Sequence, residues 1–378
     1  MRKLVHGSLT LAALWLSACG GEATGPDTFG PPADLAACTS SPPLTRFPVA
    51  VSAVSFIGPL GVMTGGGHLF PATHLGIHLA SGIASTPLYA PGSLVIRQVA
   101  RATYSEPSIP TDYAIFFYPC ADVRMHFGHV SALDPSILSE VGAFGASDCA
   151  VPYGVGGVTI EPCTKNVSIN VAAGARLGTQ QYTMDWGATD RRQSLAYVNP
   201  QRFGEAADNP FGQNHAVCPV DYLPPAVRDS VHGLFGEGSA RRTAEPVCGT
   251  VMQDIPATAQ GRWFVNDDWN ERLHLGLVRD YIDPSIAAFS VGTSIPSLPT
   301  QLYRFDPVDA GRVDLDFPHV RADGNIYCYE PTSLSPTSYV VFIQLVSDTR
   351  LRIEGSPGAS CGAPESWAFT AGAVEFTR

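Results

Sequence analysis

Lysine is almost missing from this chain of 378 residues: it occurs only at Lys3 and Lys165, and arginine supplies the other cations. Charge of either sign is scarce, at 15% of residues against about a quarter in ordinary soluble chains. Acidic groups still outnumber basic ones, leaving a formal charge of −11. A phosphate-backbone binder needs the opposite balance, so no nucleic-acid partner is expected. Sustained helical periodicity is rare, and 37 Gly with 32 Pro argue against a helical bundle. C-x-x-C, H-E-x-x-H, phosphate-loop and dinucleotide signatures do not occur, which removes several of the commonest motif-bearing chemistries. Apolar residues, by contrast, make up 45% of the chain, too many for wholesale disorder. The length suits one large domain or two smaller ones.

The N-terminus carries its own pattern. Arg2 and Lys3 precede an apolar stretch from Leu9 to Leu16, too short to span a bilayer as a stable helix. Leu16-Ser17-Ala18-Cys19 resembles the lipobox of bacterial lipoproteins. The resemblance implies a signal peptide over residues 1–18, cleavage before Cys19 and acylation of that cysteine. Gly20, where an Asp would favour inner-membrane retention, implies the outer membrane of the cell envelope. Membrane contact is then expected through the lipid on Cys19 alone. Eight cysteines remain, and an even set in an exported chain predicts up to four disulfides. Pairing neighbours gives Cys149–Cys163, Cys218–Cys248 and Cys328–Cys361, which leaves Cys38–Cys120. Spacing alone does not select this set from roughly a hundred formal pairings.

Residues 19–45 are rich in Gly, Pro, Ala, Ser and Thr and predict a flexible tether. From Pro48 the chain breaks into short β-branched and aromatic runs bounded by turn residues, the pattern of strands. Val49–Ile57, Thr86–Tyr89, Leu94–Ile96, Tyr113–Tyr118 and Val167–Val171 are such runs. Ile326–Tyr329, Tyr339–Val346, Arg350–Ile353 and Trp367–Phe369 form a second group. The best helical window is Ala226–Leu234, behind Pro224-Pro225. Residues 185–262 read as a loop-rich insertion. The fold class expected is therefore mainly β, with a main domain over 46–289 and a β-rich segment over 290–378.

Histidine is the residue most suggestive of chemistry. His68, His74 and His78 crowd one segment, His126 and His129 another, and His274 lies in Arg272-Leu273-His274-Leu275. Neutral imidazole is a leading zinc ligand. On a straight strand His74 and His78 share a face, about 13 Å apart at Cα, and Gly76 between them permits a bend. The competing expectation is that both are hydrogen-bonded core or turn residues. His68 suits the cap of a Gly-rich turn better than it suits a fourth ligand. His126 and His129, three residues apart, would face opposite ways in an extended segment. Asp185, Asp190, Asp267, Asp268 and Glu271 read as solvated turn residues rather than paired glycosidase acids.

His74-Leu75-Gly76-Ile77-His78 and the following Thr86-Pro87-Leu88-Tyr89-Ala90-Pro91-Gly92 resemble the H-x-G-x-D and G-T-P-V-Y-A-P signatures of lysostaphin-type zinc endopeptidases. Phe127-Gly128-His129-Val130-Ser131, Val171-Ala172-Ala173-Gly174-Ala175-Arg176-Leu177-Gly178 and Arg272-Leu273-His274-Leu275 with Asp283-Pro284 resemble later segments in the same order. The resemblance implies an antiparallel sheet of duplicated-hybrid-motif architecture with a groove. It implies one zinc ion held by His74, His78 and His274, with His129 moving a proton and Arg272 facing the oxyanion. The implied partner is peptidoglycan peptide or a cell-wall-associated protein. Two departures stand out: His78 replaces an Asp, and Arg272 replaces a His. Arg cannot act as a base near neutral pH. The alternative is a catalytically degenerate relative that binds cell wall or a partner enzyme without hydrolysis.

Overall fold

The computed structural model describes residues 30–378 apart from 40, 65–67, 156, 204–211, 269 and 333–338. The expected signal peptide, the lipid-bearing Cys19 and the start of the tether lie outside the described residues. The fold is mainly β, with antiparallel sheets, strands over 41% and two α-helices among the described residues. The helices are α1 (Pro135–Val141) and α2 (Pro225–His232). The latter matches the window behind the double proline. Among the described residues, no helix is long and apolar enough to cross a membrane.

The first unit is built on one ten-stranded sheet. Its strands are β1 (Val54–Gly58), β2 (His74–Leu79), β3 (Thr86–Tyr89), β4 (Leu94–Tyr104), β5 (Asp112–Cys120), β6 (Val123–Leu133), β7 (Tyr153–Val155), β8 (Val158–Val171), β9 (Arg176–Asp190) and β10 (Ala216–Val217). The order is β1-β2-β9-β6-β5-β4-β8-β7, with β3 and β10 also paired to β9. Alternation decides which face is buried. Leu75 and Ile77 of β2, Met125 and Phe127 of β6, and Met184, Trp186 and Ala188 of β9 enter one core. The residues between them face the other way, and that face carries the histidines.

The hairpin β11 (Gly236–Glu237) and β12 (Ala240–Arg241) follows. The second unit holds two four-stranded antiparallel sheets: β13 (Gly261–Trp263), β14 (Leu275–Arg279), β15 (Ala287–Val291) and β16 (Gln301–Phe305), then β17 (Tyr327–Tyr329), β18 (Tyr339–Ser347), β19 (Arg350–Pro357) and β20 (Val374–Thr377). They share one aromatic-rich core running from Ala259 to Phe376. The first core ends at Val251. The boundary expected at 289/290 falls inside β15, whose two neighbours β14 and β16 bind it from both edges. Residues 259–289 thus belong with the C-terminal strands.

Other expectations are corrected locally. From Gly30 onward the tether is packed: Arg97 donates to the Gly30 carbonyl, Ala121 to that of Ala36, and Leu44 is fully buried. Trp367–Phe369 is not a strand; the Trp367 indole donates to the Cys361 carbonyl. The loop-rich region starts after Asp190, because β9 runs through 185. All four neighbour-paired disulfides are present: Cys38–Cys120, Cys149–Cys163, Cys218–Cys248 and Cys328–Cys361.

Candidate functional site

Three adjacent strands, β2, β9 and β6, bring the chemistry together. In one row across them His74 pairs with Gly187, and Gly187 with His126. In the next row Gly76 pairs with Asp185, and Asp185 with Gly128. Each row therefore alternates functional side chains with glycine. The glycines make room. A Cβ on Gly187 would come within 2.1 Å of the His126 ring, and one on Gly128 within 3.3 Å of the Asp185 carboxylate. A Cβ on Gly76 would stand 3.1 Å from His78 Nε2.

Asp185 is the hub. Its Oδ1 lies 3.5 Å from His74 Nδ1 and its Oδ2 lies 3.4 Å from His129 Nε2. His129 is fixed from its other side by Asp112, whose Oδ2 is 2.7 Å from Nδ1. The His68 and His74 rings meet edge to face at 5.0 Å, and those of His74 and His126 at 6.3 Å. His78 stacks on Phe56 at 4.0 Å and shares a 2.9 Å hydrogen bond between Nδ1 and Thr183 Oγ1.

His126 and His129 both face Asp185, against the expectation that they would diverge. The reason is a bulge. His129 has φ of 58°, a left-handed conformation that breaks strand parity. Opposite it, β9 moves from Asp185 to Gln180 while β6 moves only from Gly128 to Val130. Buried Gln180 braces the gap by donating from Nε2 to the Ile77 carbonyl at 2.7 Å.

Electrostatics divide the histidines. Burial holds His68 and His78 down at about 4 and His126 at about 3, so all three are neutral at neutral pH. Burial also depresses His129, but the Asp112 hydrogen bond and the Asp185 charge outweigh it and carry the imidazole up to about 9. Burial pushes Asp185 up; the surrounding histidines, His74 first, more than reverse this and keep it ionised. The result is a carboxylate near the neutral imidazoles of His68 and His126, with the His129 imidazolium alongside.

The structure brings His74, His78 and His129 to this face and leaves His274 and Arg272 elsewhere. His274 ends the turn before β14. Its Nε2 meets the Asp268 carbonyl at 2.8 Å, and Val265 N donates to Nδ1 at 3.4 Å. Its ring packs on Phe70 and Phe264. Both nitrogens are occupied, so no lone pair is left for a metal. Arg272 offers its backbone carbonyl to Thr293. Among the described residues, no hydrogen bond or ion pair joins its guanidinium to the histidine cluster.

Asp185 and Asp112 were legible only in part. Set in a presumed insertion, Asp185 looked like a turn residue. The alternation of Met184, Trp186 and Ala188 with Asp185 and Gly187 was the available sign that a strand continues there. Asp112 gave no such sign, because its role depends on the partner strand.

Among the described residues, the only trio of metal-ligating groups with all donors within 4.8 Å of one another is Cys149, Glu161 and Cys163. Its two thiols are joined in a disulfide, so it offers no thiolate. No family model matches the chain, and no curated protein or solved structure matches it.

Proposed function

We propose that the β2–β9–β6 face is a zinc site of a metallopeptidase-like protein acting on peptidoglycan peptides. Cys19 acylation would anchor it at the cell envelope. The observation that carries this is the His74–Asp185 pair. Two donors on a tetrahedral zinc ion stand about 3.3 Å apart, from bond lengths near 2.0–2.1 Å, and here the separation is 3.5 Å. Neutral imidazoles with one carboxylate are a donor set that zinc favours.

A third donor has to come from a neighbouring position on the same face. His78 is the candidate, since its Nε2 stands over Gly76, the residue between it and His74 and directly opposite Asp185. The three donors do not all lie within 4.8 Å of one another, so its ring has to turn toward the pair for a metal to bind. The proposed ligands are thus His74, His78 and Asp185, with Asp185 taking the place first assigned to His274. Zinc would supply Lewis acidity toward a peptide carbonyl. His129 carries a proton at Nε2 facing the site, while Asp112 holds its Nδ1 and fixes the ring. The buried strand faces beneath keep the donors on rigid backbone. The duplicated-hybrid-motif architecture belongs to the same proposal, supported by the order of the matching segments along β2, β3, β6 and β9.

One observation favours the second reading, a relative that binds cell wall or a partner enzyme without cutting. Among the described residues Arg272, the group expected to face an oxyanion, makes no side-chain hydrogen bond or ion pair with the cluster.

Metal analysis of the purified protein separates these cases. One zinc per chain, lost in both His74→Ala and Asp185→Asn, together with release of peptides from cross-linked cell wall, is the expected result. One zinc without cleavage selects the binding protein. Zinc retained in both variants removes the site.

A further inference from the structure

The segment that carries His68 is held from the other unit. Thr64 and His68 close a small loop: His68 N donates to Thr64 Oγ1 at 2.9 Å, and Thr64 N to the His68 carbonyl at 3.0 Å. The next residues, Leu69 to Pro71, lie against β13, β14 and the turn before β14. Glu271 Oε1 accepts the Phe70 backbone N–H. Arg262 Nη2 donates to the Pro71 carbonyl at 3.3 Å, and its guanidinium lies over the Phe70 ring. His274 stacks on the same ring with an interplanar angle of 13°. Gly276 of β14 lies beside the Leu69 carbonyl, 3.4 Å from where its Cβ would stand.

Two residues before Phe70, the His68 ring meets His74 edge to face. The clamp and the cluster are therefore joined by one short piece of chain. We propose that Glu271 is a positioning residue that sets His68 against the His74–Asp185 pair, so that the second unit tunes how tightly the first holds a divalent cation. This rests on the zinc-site proposal and deepens it. The chemistry is that of an outer partner. A carboxylate accepting a backbone N–H fixes the segment that presents a donor, and loss of such partners commonly weakens metal binding about 10–100-fold. His68 then acts as a further donor or as the wall of the cavity, and Glu271 acts chiefly by holding its segment.

The test uses the full-length chain, loaded with Co2+ in place of zinc and followed by its visible absorption. Wild type is expected to bind one Co2+ with a defined spectrum. Glu271→Ala is expected to weaken binding about 10-fold and to change the spectrum. Glu271→Gln, which keeps an oxygen for the Phe70 N–H, restores most of it. Where Glu271→Ala does not fold, Glu271→Asp withdraws the carboxylate by one methylene and is expected to show the same loss. His68→Ala is expected to give a similar loss, and adding Glu271→Ala to it to give little more. Full additivity of the two, or unchanged Co2+ affinity in every folded Glu271 variant, overturns the inference while leaving the site itself intact. Failure of wild type to bind Co2+ overturns the zinc site, and this inference with it.

Discussion

The two β units treat their sheet faces differently. In the first, one face of the sheet is core and the other is a row of imidazoles, a carboxylate and glycines. In the second, both sheets turn aromatic faces inward: Phe289, Phe305, Phe317 and Tyr329 meet at ring-centroid distances of 4.7–5.7 Å. Aromatic pairs of this kind stabilise beyond the area they bury. The second unit thus has a closed centre suited to rigidity, and the first an open face suited to chemistry. The contrast implies that stability and site function are separable by mutation.

The largest effect is expected in the aromatic centre. Phe305→Ala, at a fully buried position, should cost about 3–5 kcal/mol, read as a lower denaturation midpoint. Disulfides give the next step and allow an internal ranking. Opening Cys38–Cys120, which closes 82 residues, should cost about 4.5 kcal/mol in the chain-entropy picture, against about 3 kcal/mol for Cys149–Cys163, which closes 14. Equal losses would show that native contacts, and not loop closure, dominate.

Asp190 follows. Its carboxylate is buried and binds Arg192 at Nε, Nη2 and the backbone N, as well as the Tyr222 hydroxyl. Asp190→Asn should cost about 2–3 kcal/mol, less than a fully buried pair because Arg192 is partly exposed. Burial raises the Asp190 pKa, but Arg192 and Tyr222 bring it below the ordinary value. Its contribution is therefore present above the unfolded value of about 3.9 and lost as pH falls through the folded one. The stability gap between wild type and Asp190→Asn should shrink below about pH 4.

The smallest stability effect is expected on the imidazole face. Gly187→Ala places a methyl into the His126 ring, which has to turn aside, and overpacking of this kind costs about 1–3 kcal/mol. If the face is functional, that variant should still lose affinity for the metal. A stability loss above about 3 kcal/mol would place His126 in a structural role instead.

How much of this was written in local sequence differs between features. Strands such as Thr86–Tyr89 and Tyr339–Ser347 were legible because short β-branched runs ended at turn residues. Pairing each cysteine with its neighbour in sequence matched the disulfides, although spacing alone did not single out that set and the Cys38–Cys120 loop spans 82 residues. His74, His78 and His129 were legible as candidates through local pattern. The union of His129 with Asp112 and Asp185 was not, since it depends on strand register and on one left-handed residue, neither of which is printed in a single segment. His274 misled for the same reason. Its local pattern suited a ligand, but its strand pairs in another sheet, with β13 and β15.

The Cys38–Cys120 bond also has a mechanical side. Cys120 ends β5, in the interior of the ten-stranded order, and Cys38 N is bound to Asp122 at the following turn. Tension arriving along the N-terminal stretch is therefore transferred by a covalent link at that point. The β1 margin, with β2 and its histidines beside it, is spared the peeling force.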